Sequence, residues 1–254
     1  YAVEIDQQQP QRLYGGTQDN GTLRTLGGVS DWERIFGGDG FTVIVDPTDS
    51  DVIYVEYQYG NLFKSTDGGG WFSSAMDGIA SGDRRNWHTP VVMDPTDPQR
   101  LYYGSQRVYR STDGAGNWSP ISGDLTDGDQ GANFGTVTTI AVAPSSPSVL
   151  YAGTDDGNVW VYSPFDGQWR DISAGLPVRW VTEIKVDPAD HRTAYVTFSG
   201  LRWDEAISHV YRTTDAGATW QDIGQGLPEA PVNALEVDPD HPQALYVGTD
   251  VGVY

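Results

Sequence analysis

The chain has 254 residues, with 15 basic and 35 acidic side chains and a formal net charge of −20. This charge repels phosphate backbones and anionic lipid surfaces, which excludes nucleic acid as a partner. No apolar run approaches the roughly 20 residues of a membrane-spanning helix, so membrane insertion is excluded as well. Because the chain has no cysteine, it lacks disulfides, thiol catalysis and zinc–thiolate sites.

A pair of strands joined by an Asp-Pro turn recurs along the chain. In five copies a residue followed by proline stands eight positions before a tyrosine, and a sixth copy at the start (IDQQQPQRLY) lacks only that proline. The intervals between the tyrosines are about 40–50 residues, a period typical of propeller blades. The repeated tyrosines are Tyr14, Tyr54, Tyr102, Tyr151, Tyr195 and Tyr246.

Each unit continues with a glycine-rich link, a third strand, an acidic eight-residue turn and a short fourth strand. Period-2 alternation between turns is the strand signal, and four strands at this spacing form one blade. We therefore predict an all-β protein, a β-propeller of four-stranded antiparallel blades with at least six units, the last one incomplete. The units are 1–36, 37–76, 88–122, 135–173, 179–224 and 230–254, in one propeller domain or a segment of a longer chain or assembly.

The acidic turn TTDAGATW (213–220) recurs as STDGAGNW (111–118) and STDGGGWF (65–72). An aspartate at its third position can accept backbone N–H bonds within a tight turn, and glycine supplies a left-handed backbone. The closing aromatic side chain can pack between neighbouring sheets. The residues with this predicted structural role are Ser65, Asp67, Gly69, Phe72, Ser111, Asp113, Trp118, Thr213, Asp215, Gly217 and Trp220.

These turns resemble the Asp-box, or BNR, repeat, whose pattern is Ser/Thr-x-Asp-x-Gly-x-Thr-Trp. Residues 213–220 match it fully, whereas 111–118 departs at Ala115 and Asn117. The resemblance implies the propeller fold, which sialidases, xyloglucan-cleaving glycoside hydrolases, sortilin-type receptor domains and photosystem assembly factors share. The stretches YGGTQDNG and GGDGF are similar to bacterial sortilin-like or glycosyl-hydrolase-like proteins, which implies a secreted, periplasmic or cell-surface location. A sialidase is disfavoured because Arg34-Ile35-Phe36 departs from that family's Arg-Ile-Pro motif.

The irregular links, which we expect on one face of the propeller, carry the candidate binding residues. Loops on a rigid scaffold are where binding residues concentrate, and Trp and Arg are frequent anchors there. For each tryptophan, a gap-filling role between blades is the alternative. The ligand-binding candidates are Arg84, Arg85, Trp87, His88, Arg179, Trp180, Arg202, Trp203 and Asp204, with Phe134 and Glu205 beside them.

A glycoside hydrolase needs two carboxylates roughly 5–10 Å apart across a cleft. Asp39 and Asp19 are the weak catalytic candidates, Asp39 because its glycine-rich link leads into an innermost strand. An aspartate between glycines is also typical of a tight turn, which is the alternative for Asp39. The other acids of these links are Asp124, Asp127, Asp129, Asp155 and Asp156.

The sequence predicts no metal and no cofactor. The histidines His88, His191, His209 and His241 lack metal-ligand spacing, and DLTDGDQG (124–131) lacks the ordered ligand spacing and terminal Glu of a calcium loop. No catalytic acid pair can be named from spacing, so a non-catalytic module that recognises protein or polysaccharide is the favoured function. The alternative is a xyloglucanase-like glycoside hydrolase module.

Overall fold

The computed structural model describes residues 2–28, 30–129, 131, 134–200, 209–238, 240–241 and 243–254. The described residues form six antiparallel sheets, and in every sheet each strand pairs with its neighbour in sequence. Five sheets have four strands and the last has three, which confirms the predicted all-β propeller with an incomplete sixth blade. Among the described residues, no helix has the length and apolar character needed to cross a membrane.

The chain divides into two compact units. The first contains residues 1–103 and 109–121, and the second contains residues 104–108 and 122–254.

Blades 1 and 2, with most of blade 3, lie in the first unit. Blade 1 consists of β1 (Ala2–Ile5), β2 (Leu13–Thr17), β3 (Gly21–Thr25) and β4 (Trp32–Phe36). Blade 2 consists of β5 (Val43–Asp46), β6 (Asp49–Tyr57), β7 (Asn61–Ser65) and β8 (Ser73–Ser74). Blade 3 consists of β9 (Val91–Asp94), β10 (Asp97–Gly104), β11 (Val108–Ser111) and β12 (Ser119–Pro120).

The second unit holds blades 4 to 6. Blade 4 consists of β13 (Val137–Val142), β14 (Leu150–Thr154), β15 (Val159–Ser163) and β16 (Gln168–Asp171). Blade 5 consists of β17 (Trp180–Val186), β18 (Ala194–Ser199), β19 (Val210–Thr213) and β20 (Gln221–Asp222). Blade 6 consists of β21 (Val232–Val237), β22 (Leu245–Thr249) and β23 (Gly252–Val253).

In every blade except the fourth, where Ala143 takes the place, an aspartate at the end of the first strand accepts a backbone N–H bond from two residues ahead. Asp46 Oδ1 accepts from Thr48 N at 2.8 Å, and Asp94 Oδ1 accepts from Thr96 N at 2.8 Å. An aspartate that accepts hydrogen bonds from the amides of its own turn lowers the free-energy cost of reversing the chain direction. These turns fix the ends of β5 and β9 and therefore the register of the strands that follow.

The three acidic turns share one hydrogen-bond pattern. In 213–220, Thr213 Oγ1 donates to Asp215 Oδ1 at 2.7 Å and accepts from Gly217 N, while Asp215 Oδ1 accepts from Thr219 N at 2.9 Å. The turns 65–72 and 111–118 repeat these bonds with Ser in place of Thr213. The side chains thus bond the turn's own amides.

Packing of one blade on the next builds the cores. In the first unit Tyr14 of blade 1 packs with Val43, Val45, Ile53 and Val55 of blade 2. The tryptophans that close two acidic turns reach the preceding blade, since Trp118 Nε1 donates to Ala75 O at 2.8 Å and Trp220 Nε1 donates to Ile172 O at 2.7 Å. Burial of a large ring with its N–H satisfied stabilises each joint.

Threonines join the first strands within the second unit. The register of β13 against β14 slips between Val137 and Thr139, and β17 slips at the equivalent place. The extra residue of each bulge donates to the next blade's first strand, Thr138 Oγ1 to Val181 O and Thr182 Oγ1 to Val232 O, both at 2.6 Å. The bulge therefore turns a side chain out of its own sheet to bond a neighbouring one.

Candidate functional site

A cluster of aromatic side chains lies on the links of the first unit, at one end of blades 2 and 3. Trp87 meets Phe41 edge-on at a centroid distance of 5.9 Å and Tyr59 at 4.9 Å. His88 stacks on Phe41 with the ring centroids 5.4 Å apart and the planes at 15°. We call Phe41, Tyr59, Trp87 and His88 the aromatic rim. The structure thus brings the predicted candidates Trp87 and His88 together with two aromatic residues that sequence reasoning missed.

Tyr59 is the most exposed member of the aromatic rim, with 54% of its surface accessible. Its backbone is left-handed, with φ of 61°, and its N–H donates to Trp87 O at 3.1 Å. A bulky residue in this conformation is strained, and such strain concentrates at functional sites. Tyr59 therefore combines a strained, left-handed backbone with an exposed ring.

Glu56 lies directly beneath the aromatic rim and is fully buried. Its Oε1 accepts from Thr89 N at 2.8 Å, and its Oε2 accepts from Thr42 N at 3.3 Å. Burial raises the pKa of Glu56 to about 8 against the opposing effect of these hydrogen bonds. The carboxyl is therefore neutral at pH 7 and carries a proton it can give up.

His88 connects this buried acid to the surface. Its Nε2 lies 3.7 Å from Glu56 Oε2 and 3.0 Å from Thr42 Oγ1, while its side chain remains 47% exposed. Burial of part of the ring lowers the pKa of His88, so the imidazole is neutral at pH 7. The Glu56 carboxyl, rather than the His88 imidazole, therefore holds the proton at neutral pH, because burial raises the pKa of the carboxyl and lowers that of the imidazole.

The repeat marks Glu56 as an exception. The position two residues after the repeated tyrosine is glycine in four of the other five blades and threonine in blade 5; these residues are Gly16, Gly104, Gly153, Gly248 and Thr197. At Gly16 an added Cβ would collide with the backbone of Phe41, so the next blade's chain approaches closely there. This register comparison is the sequence signal that could have identified Glu56.

The weak catalytic candidates Asp39 and Asp19 meet each other in the first unit. Asp39 is 7% exposed, and its Oδ1 accepts from Asp19 N at 2.8 Å. Asp19 has a left-handed backbone with φ of 64°. One oxygen of Asp39 thus bonds the 17–21 turn, 20 residues earlier in the chain.

The other first-unit candidates are arginines of the same link. Arg84 and Arg85 are half-buried, and Arg85 NH1 lies 3.5 Å from Asn61 Oδ1. Arg85 also hydrogen-bonds Tyr103, a buried tyrosine of blade 3 whose pKa burial raises. Arg85 therefore braces the link below the rim.

In the second unit, two acids support the long link that follows blade 3. Asp155 is fully buried and accepts from Phe134 N and Thr136 N, and burial raises its pKa. Asp156 accepts from Asp127 N at 2.6 Å. Both carboxylates therefore bind amides of the 124–136 link.

The remaining link acids bond within their own turns. Asp124 Oδ1 accepts from Thr126 N at 3.0 Å, and Asp129 Oδ1 accepts from Gly131 N at 2.9 Å. Within the part of the chain that the structure describes, no group of three or more His, Cys, Asp or Glu side chains has a geometry suited to a metal ion. Asp124 and Asp129 therefore have the hydrogen bonds of turn residues.

Arg179 and Trp180 lie where blade 5 begins, and Arg179 NH1 donates to Val178 O at 2.6 Å. Trp180 is half-buried and opens β17 opposite Ser199. Phe134 is 49% exposed. The candidates Arg202, Trp203, Asp204 and Glu205 lie outside the described residues.

Sequence comparison with curated proteins finds xyloglucanases. No protein-family model matches the chain. The chain is 24% identical over 235 residues to a xyloglucanase of Hypocrea jecorina, covering 75% of this chain and 27% of the relative. It is 25% identical over 276 residues to a xyloglucanase of Acetivibrio thermocellus, covering 87% of this chain and 32% of the relative. The chain thus spans about a third of the length of these relatives or less.

Solved structures share the fold over nearly the whole chain. A GH74 enzyme of Niastella koreensis superposes with a TM-score of 0.74 at 19% identity, covering 99% of this chain and 44% of that one. The GH74 xyloglucanase of Xanthomonas campestris gives 0.75 at 19% identity, covering 99% and 44%. YCF48 of Cyanidioschyzon merolae gives 0.63 at 13% identity, covering 99% and 92%. The relatives that match by sequence are xyloglucanases, which favours the hydrolase alternative over a non-catalytic scaffold.

Proposed function

We propose that this chain is a polysaccharide-acting β-propeller module of the xyloglucanase type. The observation that carries the proposal is the run of sequence matches to xyloglucanases of fungi and bacteria, which cover 75% and 87% of the chain in the two relatives above. Substrates of this class are met outside the cell, so the proposal includes a secreted or cell-surface location. The acidic turns support its grouping with Asp-box propellers.

The aromatic rim supports the choice of ligand. Tyr59 and Trp87 present ring surface beside hydrogen-bonding groups, the combination of apolar contact and a few polar groups that characterises ligand sites. A glycan carries no phosphate, so the −20 charge does not oppose its approach. We assign the sugar chain to the accessible members of the aromatic rim, Tyr59, Trp87 and His88, which pack around the fully buried Phe41.

Hydrolysis would require an acid that is protonated near neutral pH and a second carboxylate. Glu56 fits the first requirement, because its raised pKa keeps it protonated near neutral pH, and His88 Nε2 lies 3.7 Å from its Oε2 at the exposed edge. Asp39 is the proposed second carboxylate, since it precedes Phe41 by two residues on the link that enters blade 2.

A second candidate function is glycan binding without cleavage. The observation that favours it is the use of Asp39, Asp155 and Asp156 as acceptors for backbone amides, which is a structural role for each. A binding module would use the same aromatic rim without a reacting carboxylate pair.

The test follows reducing ends and retention together, with xyloglucan and unsubstituted cellulose as probes. Tyr59→Ala and His88→Ala are compared with Phe165→Ala, a matched control because Phe165 is 88% exposed on a hairpin of the second unit. We expect retention on xyloglucan that falls at least about tenfold in Tyr59→Ala, a loss of about 1.4 kcal/mol, and is unchanged in the control.

The outcomes separate the two functions. New reducing ends that disappear in His88→Ala and Asp39→Asn indicate a hydrolase centred on this rim. Retention without cleavage indicates the binding module. Neither retention nor cleavage, with circular dichroism showing folded protein, overturns the polysaccharide proposal.

A further inference from the structure

One buried tyrosine of blade 3 has no counterpart in the other blades. The residue directly after the repeated tyrosine is Tyr103 in blade 3 and a glycine or a smaller aliphatic residue elsewhere; these residues are Gly15, Val55, Ala152, Val196 and Val247. Tyr103 is fully buried, and its ring lies 6.5 Å from that of Tyr109 and 5.9 Å from that of Trp118. Because residues without a polar group occupy this position in the other blades, packing alone does not require the hydroxyl.

The Tyr103 hydroxyl is the meeting point of two chain segments. It donates to Gly60 O at 2.8 Å, and the side chains of Arg85 and Thr89 hydrogen-bond it as well. Gly60 belongs to the loop between β6 and β7, whereas Arg85 and Thr89 belong to the link into blade 3. A single buried oxygen therefore joins the two segments that carry Tyr59 and the 87–88 pair of the aromatic rim.

The loop between β6 and β7 is held from outside itself. Tyr59 and Gly60 both have left-handed backbones, with φ of 61° and 66°. An added Cβ on Gly60 would lie 2.3 Å from Tyr103 Oη and 2.5 Å from Thr89 Oγ1, so the hydroxyl fills the space beside the glycine. Strained conformations persist where surrounding contacts hold them. For this loop the contacts are the bond of Gly60 O to Tyr103 and the bond from Tyr59 N to Trp87 O.

The link into blade 3 is held by the same group of residues. Thr89 Oγ1 donates to Asn86 O at 3.0 Å, which closes the backbone around Trp87. Thr89 N donates to Glu56 Oε1 at 2.8 Å, so this end of the link is also fixed to β6. Because Tyr103 bonds Thr89 as well, its hydroxyl fixes the segment that carries Trp87 relative to the β6–β7 loop.

We propose that Tyr103 is a positioning residue of the aromatic rim, whose hydroxyl holds Tyr59 edge-on against Trp87 before a glycan binds. The Tyr59 and Trp87 rings stand 4.9 Å apart at 88°. This role rests on the proposed function, which places a polysaccharide on these rings. A side chain that is already ordered loses no further freedom on binding, which is about a three- to tenfold effect on affinity.

The test removes one hydroxyl and keeps its ring. Tyr103→Phe does this at the rim. The matched control is Tyr54→Phe, because Tyr54 is equally buried and its hydroxyl also donates to a glycine carbonyl, Gly114 O at 3.0 Å. Gly114 lies in the acidic turn 111–118 and not at the rim. Both variants therefore lose a buried hydrogen bond, whereas only Tyr103→Phe releases the β6–β7 loop.

Two readouts are taken on the full chain labelled with fluorotryptophan. In the ligand-free protein, the fluorine NMR resonance of Trp87, assigned by its loss in Trp87→Phe, reports the position of the Tyr59 ring. Tyr59→Ala gives the value of that resonance without the ring. We expect Tyr103→Phe to move the resonance toward the Tyr59→Ala value and Tyr54→Phe to leave it unchanged. Retention on xyloglucan should fall about three- to tenfold in Tyr103→Phe and stay at the wild-type level in the control.

A Trp87 resonance that stays at its wild-type position in Tyr103→Phe overturns the proposal. Where the wild type retains xyloglucan, equal retention by Tyr103→Phe and Tyr54→Phe does the same. A wild type that retains no xyloglucan contradicts the proposed function, and the resonance still decides the role of Tyr103. A shift confined to Tyr103→Phe then supports the positioning of Tyr59, and an unmoved resonance overturns it.

Where Tyr103→Phe loses its circular dichroism spectrum, Gly60→Ala replaces it. The new methyl group would meet Tyr103 Oη and displace the loop from the opposite side. Ala115 shows that alanine adopts the same left-handed backbone in this chain, with φ of 63°. The same shift of the Trp87 resonance and the same loss of retention are then expected, and their absence overturns the proposal.

Discussion

At the scale of single residues, Glu56 is where one blade departs from its own repeat. Glycine stands at this position in four other blades, and at Gly16 and Gly153 an added Cβ would collide with Phe41 or Val181 of the next blade. Blade 2 instead buries a carboxyl against Thr42, Thr89 and His88. A buried acid is costly when it ionises, so its retention points to a use for its proton.

The raised pKa of Glu56 predicts a stability that falls with rising pH. Between the unfolded pKa of about 4.5 and the folded pKa of about 8 the folded state keeps the proton and the unfolded state does not, so the free energy of unfolding falls by about 1.4 kcal/mol per pH unit, about 2 kcal/mol of it between pH 6.5 and 8. The folded pKa of His88 is lowered whereas the unfolded imidazole is still partly protonated near pH 6.5, so His88 offsets a small part of this fall at the lower end of the interval. Glu56→Gln removes the titration, and urea unfolding at the two pH values measures the difference.

The matched control for that experiment is Glu33→Gln, because Glu33 is an exposed acid paired with Arg24. It leaves the wild-type pH dependence in place. Equal pH dependence in wild type and Glu56→Gln would contradict the assignment of a neutral Glu56.

Asp215 gives the opposite pKa shift at a turn. Hydrogen bonds lower the pKa of Asp215 to about 2. The largest effect comes from the Thr219 hydroxyl, followed by the Thr219 backbone N–H and the Thr213 hydroxyl. Stability from this group is present above about pH 4 and is lost as the pH falls toward 2. Thr219→Val removes the hydroxyl, so we expect the carboxyl pKa measured by NMR to rise. Asp113, whose turn has Asn117 at that place, serves as the internal reference and should not change.

At the scale of elements, the acidic turns differ in which residue types occupy their two left-handed backbone positions. Residues four and five of the turn are Gly68 and Gly69, Gly114 and Ala115, or Ala216 and Gly217, and all have φ between 58° and 90°. Alanine is tolerated at Ala115 but a Cβ at Gly217 would collide with Ile172 of the preceding blade. The same turn therefore accepts a side chain in one blade and rejects it in another.

This contrast predicts unequal effects of two small substitutions. Gly217→Ala combines a clash with Ile172 and backbone strain, so the free energy of unfolding should fall by about 2 kcal/mol. Ala216→Gly relieves strain but adds freedom to the unfolded chain, so it should change stability by about 0.5 kcal/mol or less. Urea unfolding of both variants checks the pair, and a larger loss for Ala216→Gly would be inconsistent with this account.

How much of the structure could be predicted from the sequence depends on how far apart in the chain the interacting residues lie. In the turns, an aspartate bonds an amide two to four residues away, as Asp215 does with Thr219 N. These interactions depend only on the local sequence, so the strands and the order of the blades were predictable. Glu56 meets Thr42 and Thr89 from 14 and 33 positions away, and His88 meets Thr42 from 46. Thr42 lies opposite Glu56 beside the β5–β6 pairing, but His88 and Thr89 come from the link into blade 3 and become neighbours only when the two blades pack. Tyr59 gave no signal because its strain is a backbone property.

For the whole molecule, the net charge of −20 sets a prediction that no single pair determines. Like charges destabilise a compact chain, and salt screens them within about 10 Å at 0.1 M. We expect the thermal midpoint to rise by a few degrees between about 0.02 M and 0.5 M sodium chloride. Differential scanning calorimetry measures it, and a midpoint that falls with salt would show that ion pairs such as Arg100 with Asp94 outweigh repulsion.

The sequential order of strands within every blade also affects the rate and order of folding. Each of the six sheets is a meander in which a strand pairs with its neighbours in sequence, so pairing does not require a distant part of the polypeptide. Closing short loops costs little entropy, which favours rapid formation of any one sheet and its growth outward to the next. A ribosome-bound chain can therefore complete blade 1 while blade 3 is still unmade, and synthesis itself can set the order of assembly.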